Sequence, residues 1–580
     1  MTATLDSLVE SWLELDFNET TRAEIIQLRD SNDTAELERR LRKRIEFGTA
    51  GLRAKMQAGF SSMNDLTVLQ ASQGLAKYVA KTVANAEARR IVIGHDHRYN
   101  SKRFAELTAL AFSHAGFKVY LYGRLVHTPL VPFGVDELGA ACGVMITASH
   151  NPAQDNGYKV YWGNGCQIIP PHDFGIAAEI LANLVPWTSD TSLIKTEADI
   201  VDDLETKYFA KIASKIGSTI SAAENSGVKF VYTAMHGVGL APFLKTVDLL
   251  GLRDSVVIVE EQAHPDPDFP TVSFPNPEEK GALDLAKSTA DKHGITIVLA
   301  NDPDADRFAV AVKNTKTNAW VQITGNQLGA LFAENAVNNY EAAGGDFSKL
   351  ALLNSTVSSQ LIASMANVRG FHYEDTLTGF KWIGNRAIDL EKEGFNVPFA
   401  FEEAIGYMFP IVHDKDGISA ATVFLRWAAT TKNFAPLDEL EKIYQKYGYF
   451  EESNSYYISR DSAVTNEIFE SIRAYNGATD YPRTIGRFTV TYWRDLTKGY
   501  DSSTADHVPT LPVSASSQMI TAKIQGSSES EVVRFTARGS GTEPKLKVYI
   551  EARGNSAEGA SKLAQEVWDL LAQEWFHRLI

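Results

Sequence analysis

Residues 89–96, RRIVIGHD, set Ile91, Val92 and Ile93 in a row with no polar alternation. A strand wetted on one face alternates polar and apolar residues, whereas one covered on both faces reads as a continuous apolar run. The same texture returns in FKVYLYG (117–123) and ACGVMITASHN (141–151), and SKRFAELTALAFSHAG (101–116) between them has helical spacing. Such strands, separated by helices, predict a largely parallel sheet with helices on both faces.

The pattern recurs along the chain. GVKFVYTAMHG (227–237), DSVVIVEEQ (254–262) and GITIVLANDPD (294–304) form a second set; LALLNST (350–356), FHYEDTLTG (371–379) and VPFAFEEAIGY (397–407) form a third. After about residue 450 the texture changes: RFTVTYWRDL (487–496), SQMITAKIQG (517–526), EVVRFTARGS (531–540) and KLKVYIEARG (545–554) alternate and lie close together, and a helical stretch closes the chain. That arrangement predicts an antiparallel sheet in an α+β domain. The expected fold class is α/β, with three similar domains of mixed, mostly parallel sheets and a C-terminal α+β domain. The expected boundaries are 1–215, including a charged helical stretch over 1–45, then 216–324, 325–448 and 449–580.

With 580 residues, 44% apolar and 22% charged, the composition is that of a soluble, multidomain protein. A net charge of -16 argues against nucleic acid as a partner. It does not exclude an anionic substrate, because charges further apart than a Debye length of ~8 Å are largely screened and local cations can dominate a cleft. Two cysteines make no disulfide framework, and no apolar run approaches the ~20 residues of a membrane helix. The N-terminal stretch carries acids where a secretory signal would carry bases. A cytoplasmic protein with no membrane, nucleic-acid or obligate protein partner is expected.

LANDPDADRFAV (299–310) spaces Asp302, Asp304 and Asp306 by two just past an apolar strand. Extended chain sends alternate side chains to one side, so the three carboxylates can converge on one hard cation. An EF-hand loop is excluded, since its sixth and twelfth positions would be Arg307 and Lys313 instead of Gly and Glu. Arg307 is suited to a phosphate that the cation also touches. ARGSGTEPKLKVY (537–549) offers Arg538, Ser540 and Thr542 with flexible Gly539 and Gly541, a pattern able to wrap an anion. PFAFEEAIGYMFP (398–410) places Glu402 and Glu403 at a strand end, as acceptors for sugar hydroxyls or as solvated acids. TLTGFKW carries Thr378, Gly379 and Lys381, and HDKDG carries Lys415.

GVMITASHNPAQDNGYKVYWGNG (143–165) pairs Ser149 with His150. Adjacent residues on an extended strand end point to opposite sides, which predicts that His150 is poorly placed as a base for Ser149. A phosphorylated serine sharing a cation with three aspartates is the more coherent reading, since a phosphoserine brings nearly two negative charges and three acceptor oxygens.

Taken together, TASHNP, DPDADR, EEAIG and RGSGTEP occur in the order of the markers of the α-D-phosphohexomutase superfamily, which the chain resembles over nearly its whole length. FGTAGLR, MNDLTVLQASQGLA and QDNGYKVYW further resemble its phosphopentomutase/type-2 phosphoglucomutase branch, which includes glucose-1,6-bisphosphate synthase and fungal phosphoribomutase. The resemblance implies three α/β domains around a central cleft and a fourth that closes over it. It implies a phosphoryl group carried by Ser149 and Mg²⁺ held by Asp302, Asp304, Asp306 and the phosphoserine. Arg538, Ser540, Gly541 and Thr542 would hold the non-reacting phosphate, with Glu402, Thr378, Gly379 and Lys381 about the sugar. Arg53 and Arg307 would flank the phosphoryl in transfer, and Lys159, Lys415 and His150 are the candidates for proton transfer.

Phosphoryl transfer needs in-line positioning and charge neutralisation, and a lysine among cations is expected to have its pKa pulled toward neutrality. One departure bears on specificity. Ala404 stands where glucose-dedicated members have a serine contacting a sugar hydroxyl. The expected activity is therefore interconversion of pentose 1- and 5-phosphates, with glucose phosphates as further substrates and a sugar 1,6- or 1,5-bisphosphate as activator. The alternatives are a glucose-1,6-bisphosphate synthase and a non-catalytic sugar-phosphate sensor.

Overall fold

The computed structural model describes residues 4–48, 51–85, 89–459, 462–528, 530–539 and 545–579. Its chain divides into two compact units, Met1–Phe332 with Gly379–Ala435, and Ala333–Thr378 with Pro436–Ile580.

The first unit opens with helices Leu5–Leu15, Glu19–Asp30 and Thr34–Leu41, capped by the side chains of Thr4, Asn18 and Asp33. Their apolar stripes meet in a small core around Trp12, Ile25 and Leu37. The first sheet contains β1 (Leu52–Lys55), β2 (Arg90–His95), β3 (Lys118–Leu121), β4 (Cys142–Ile146) and β5 (Asp155–Trp162), ordered β1-β5-β4-β2-β3. Every residue of β4 is buried, as its unbroken apolar run requires of a central strand. Pairs β2–β3 and β2–β4 are parallel, while β5 turns back antiparallel to β4 and to β1. Helix Ser101–His114 packs Phe104, Leu107 and Leu110 into the core beside this sheet.

The second sheet repeats the plan. β6 (Phe230–Thr233), β7 (Val256–Ile258), β8 (Ile297–Asn301), β9 (Phe308–Lys313) and β10 (Trp320–Gln322) are ordered β10-β9-β8-β6-β7. As β4 lies parallel beside β2, so β8 lies parallel beside β6, and the returning strand β9 follows it antiparallel. The third α/β region contributes a parallel pair, β11 (Leu350–Ser355) and β12 (His372–Thr376), to the second unit. Its antiparallel pair, β13 (Asn396–Glu402) and β14 (Gly406–Met408), belongs to the first unit.

The rest of the second unit is an antiparallel sheet of β15 (Tyr449–Glu452), β16 (Ser455–Ile458), β17 (Thr484–Ile485), β18 (Phe488–Asp495), β19 (Tyr500–Asp501), β20 (Met519–Gln525), β21 (Val532–Gly539) and β22 (Lys545–Gly554). One face, with Ile520, Ala522, Val533, Phe535 and Ile550, packs against Leu563, Val567 and Leu571 of helix Ala557–Glu574. The architecture is thus three α/β regions with mixed sheets and a C-terminal α+β region. No helix among the described residues is long and apolar enough to cross a membrane.

Candidate active site

Three loops leave the ends of β4, β8 and β13, and each turns through a non-glycine residue in the left-handed region: Ser149 (φ 53°), Ala305 (φ 55°) and Ile405 (φ 51°). That conformation costs on the order of 1–3 kcal/mol and clusters where function over-determines the backbone. The repeated fold therefore offers three similar strained corners in the first unit, and Ser149, His150, Asp302, Asp304, Asp306, Arg307 and Glu402 lie on or beside them.

Ser149 is buried, and its Oγ donates to Asp302 Oδ2 at 2.8 Å. His150 Nδ1 lies 3.2 Å from the same Oγ. This corrects the expectation from strand alternation. β4 has ended by Ile146, and the left-handed turn at Ser149 brings His150 to the serine instead of away from it. A Ser-His-acid relay is still not formed, because no carboxylate among the described residues hydrogen-bonds to the far ring nitrogen. Burial, then Arg307 and Arg53, lower the His150 pKa well below its ordinary value and keep the ring neutral.

The aspartates converge as their spacing predicts. Asp302, Asp304 and Asp306 are fully buried, each offering an oxygen within 4.8 Å of the others. Asp304 Oδ2 accepts from Thr128 Oγ1 at 2.6 Å and Lys159 Nζ at 2.7 Å. Asp306 Oδ2 accepts from Lys159 at 2.8 Å and pairs with Lys415 at 3.0 Å. Asp304 Oδ1 and Asp306 Oδ1 are buried with no hydrogen-bond partner. Burial, then Asp304 and Asp306, push the Asp302 carboxyl well above its usual range. Asp304 goes the other way: burial opposes ionisation, but Lys159 and the hydrogen bonds around it hold its carboxyl low. Crowded carboxylates with unused oxygens have the chemistry of a hard divalent-cation site.

The lysine expectation needs revision. Burial by itself would lower the pKa of Lys415, but Asp306 and Asp414 outweigh it and leave the ammonium above its ordinary value. Its neighbours are carboxylates more than cations, so it stays a proton donor in this arrangement.

The remaining sequence-derived residues fall into place unevenly. Arg307 donates to the Ala404 carbonyl at 3.2 Å, tying the aspartate loop to the loop after β13. Arg53, on β1, reaches Asn151 Oδ1 at 3.2 Å. Glu402 is half-buried, and its Oε1 accepts the Gly379 N–H at 2.7 Å. Lys381 lies in the first turn of the helix Phe380–Lys392, with Nζ 5.8 Å from the Trp382 ring. In the second unit Arg538 donates to Thr378 Oγ1. Ser540, Gly541 and Thr542 lie outside the described residues.

Two further residues carry no motif signal. Arg98 is 3% exposed and donates to four carbonyls of the serine loop: Ser149 and Asn151 at 2.6 Å, Pro152 at 2.8 Å and Asp155 at 3.2 Å. Thr128 holds Asp304 twice, since its N–H also donates to the Asp304 carbonyl at 2.9 Å. The only sequence hint for Arg98 is its place in the loop after β2. Thr128 gives none. Shape also confines the aspartate loop: a Cβ on Gly237 would stand 2.3 Å from Pro303, and one on Gly417 2.3 Å from the Arg307 carbonyl oxygen.

Comparison with known proteins agrees with this geometry. The phosphoglucomutase/phosphomannomutase alpha/beta/alpha domains I, II and III match residues 44–184, 206–316 and 324–447. The chain is 51% identical to a phosphoribomutase of Saccharomyces cerevisiae, over 98% of this chain and 96% of that protein. It is 43% identical to human phosphopentomutase, over 99% and 96% of the two chains. A solved Paramecium phosphoglucomutase (pp63/parafusin) shares the fold at a TM-score of 0.63 and 19% identity, covering 92% of this chain and 95% of that one. With three domain models matched over most of its length and relatives 43–51% identical over nearly all of it, the chain belongs to the phosphoglucomutase/phosphomannomutase family.

Proposed function

We propose that the chain is a phosphosugar mutase acting on pentose 1-phosphate and 5-phosphate, with glucose 1-phosphate and 6-phosphate as further substrates. One observation carries the reading: a buried serine hydroxyl, 2.8 Å from Asp302, beside carboxylates with unused oxygens. Similarity to a phosphoribomutase and a phosphopentomutase supports the pentose preference. Ala404, whose methyl offers no hydroxyl partner, supports it independently.

In this reading Ser149 carries the phosphoryl group. Asp302, Asp304 and Asp306 hold Mg²⁺, which when bound neutralises charge on the transferring phosphoryl. Arg53 and Arg307 orient phosphoryl oxygens. Lys159, Lys415 and His150 hold or release protons at the attacking and leaving oxygens. Glu402, Thr378, Gly379 and Lys381 line the sugar, and Arg538 with Ser540, Gly541 and Thr542 takes the other phosphate. A sugar 1,6- or 1,5-bisphosphate would prime the serine. The partners are small-molecule sugar phosphates, with no nucleic acid, membrane or obligate protein partner, in the cytoplasm.

The test is turnover of ribose 1-phosphate, deoxyribose 1-phosphate and glucose 1-phosphate by the purified chain, with Mg²⁺ and bisphosphate. Intact mass of the protein is followed alongside. A phosphate on Ser149 that is lost to substrate is expected, together with abolished turnover in Ser149→Ala. Full activity of that variant would falsify the mechanism. Turnover only with 1,3-bisphosphoglycerate and glucose 1-phosphate would replace it with a bisphosphate synthase. Binding without turnover would leave a sensor.

A further inference from the structure

The antiparallel sheet of the second unit has an apolar face under its C-terminal helix, but its opposite face is charged although it too is covered. Strand register sets Lys523 of β20 beside Arg534 of β21, and Arg534 beside Glu551 of β22. One pleat along, Val532 faces Arg553, which faces Phe450 of β15. Alternation sends all of these away from Val533 and Phe535. Over them lies the helix Leu361–Arg369, whose cap Gln360 and whose Ala363, Ser364 and Asn367 share one helical face. Sheet and helix flank an open pocket of about 150 Å³, large enough to admit a phosphate-sized group.

Of the cations on this face Arg534 is buried, Lys523 is half-buried and Arg553 is exposed, and they outnumber their carboxylate partners; a charge that is even partly buried is costly unless paired. Asp375 is taken by Arg494 at 3.1 Å and lies 4.0 Å from Arg534. Arg534, 7% exposed, otherwise donates among the described residues to Ser358 O and Thr356 Oγ1. Lys523 Nζ has no carboxylate or hydrogen-bond partner among the described residues; its neighbour is the Tyr492 ring at 5.7 Å. Burial, then Arg534, lower its pKa. Arg553 rests on the Phe450 ring at 5.9 Å, likewise without a carboxylate among the described residues. Glu551 Oε2 accepts the Gln360 N–H at 2.8 Å, while Oε1 is buried and unpartnered. Burial raises the Glu551 pKa to about 7, so near neutral pH much of it is protonated and can donate to an anion instead of repelling it.

We propose that this pocket is a binding site for the phosphate group, held by Lys523 and Arg534, with Arg553 at its rim. The site is separate from Arg538, which lies further along β21, and does not depend on the proposed activity. Its occupant would tie the helix Leu361–Arg369 to the sheet within one unit.

Crystals of the full chain soaked in selenate test it, since anomalous scattering locates each tetrahedral anion. A peak within hydrogen-bond distance of Lys523 Nζ and Arg534 is expected. In Lys523→Met the affinity at this pocket should fall about tenfold, the loss of one charge-assisted contact, while selenate near Arg538 is retained. No peak in native crystals at a concentration that fills the Arg538 region overturns the proposal, whether or not the variant folds. So does an undiminished peak in the variant. Calorimetric titration of inorganic phosphate and of ribose 5-phosphate into both proteins separates the sources. A difference with inorganic phosphate assigns the site to the free anion, and a difference with the ester alone assigns it to a phosphorylated metabolite.

Discussion

The serine loop and the aspartate loop follow equivalent strands of two similarly ordered sheets and turn through similar left-handed corners, yet they are held by opposite means. The serine loop is fixed through its backbone: one buried guanidinium, Arg98, gathers four carbonyls and leaves the Ser149 side chain free for chemistry. The aspartate loop is held through its side chains, by Thr128, Lys159 and Lys415. The first arrangement secures a group that must react. The second keeps charged oxygens in contact with cations that a metal can replace.

Breaking each loop should therefore give opposite signatures in Mg²⁺ affinity. The largest effect is expected for Asp304→Asn, which removes a carboxylate from the cation set. Turnover should fall by about three orders of magnitude, the several kcal/mol a metal contributes to phosphoryl chemistry. Mg²⁺ affinity should be lost in titration, and the melting temperature without metal should fall as well, because buried Lys159 loses one of its two carboxylate partners; retained Mg²⁺ affinity would break the comparison.

Arg98→Met should cost about 2–4 kcal/mol of stability, since buried carbonyls lose their donor. Turnover should drop on the order of tenfold to a hundredfold as the serine loop loosens, with Mg²⁺ affinity unchanged in titration. Arg98→Lys should recover only part, because an ammonium lacks the planar fork that reaches four carbonyls.

Asp416, fully buried beside Tyr208 and capping the helix Gly417–Thr430, supplies a pH signature of comparable size to the Arg98 stability loss. Burial raises its carboxyl from 3.8 to about 6. Between those values the folded chain holds a proton that the unfolded chain has released, so stability from this group falls as pH rises from about 4 to about 6. The shift amounts to about 3 kcal/mol. Asp416→Asn should flatten that slope in denaturant titrations across the range. The smallest effect is expected at the second corner, where Ala305→Gly relieves a residue at positive φ and removes only a methyl group. A gain of about 1 kcal/mol in chemical denaturation is expected, offset in part by backbone entropy.

Much of this comparison was legible in the sequence. Unbroken apolar runs such as 89–96 and 141–151 marked the buried strands, and the spacing of Asp302, Asp304 and Asp306 foretold their convergence. The bond between Ser149 and Asp302 joins residues 153 apart in sequence, and the expected sharing of a cation anticipated that contact. What could not be read was anything set by φ at a single residue. Strand alternation failed for His150 because Ser149 leaves the extended region, and no propensity assigns a serine or an isoleucine to that conformation. Arg98 and Thr128 were also hidden, since their partners are carbonyls and a carboxylate brought near only by the finished fold. The lysine pKa went astray because sequence gives the sign of neighbours in the chain and not those across a cluster.

Gly237 and Gly417 touch the aspartate loop from two sides with nothing but hydrogen atoms. They hold no ligand, donate no proton and would be passed over in any inventory of reactive groups. Yet a single methyl at either position meets backbone that has nowhere to move without carrying Asp302, Asp304 or Asp306 along. Natural variation at these glycines is thus informative about the active site in a way that chemistry does not predict. Alanine there should inactivate as a misplaced carboxylate does, and a clinical or evolutionary reading that ranks substitutions by functional group would score it harmless.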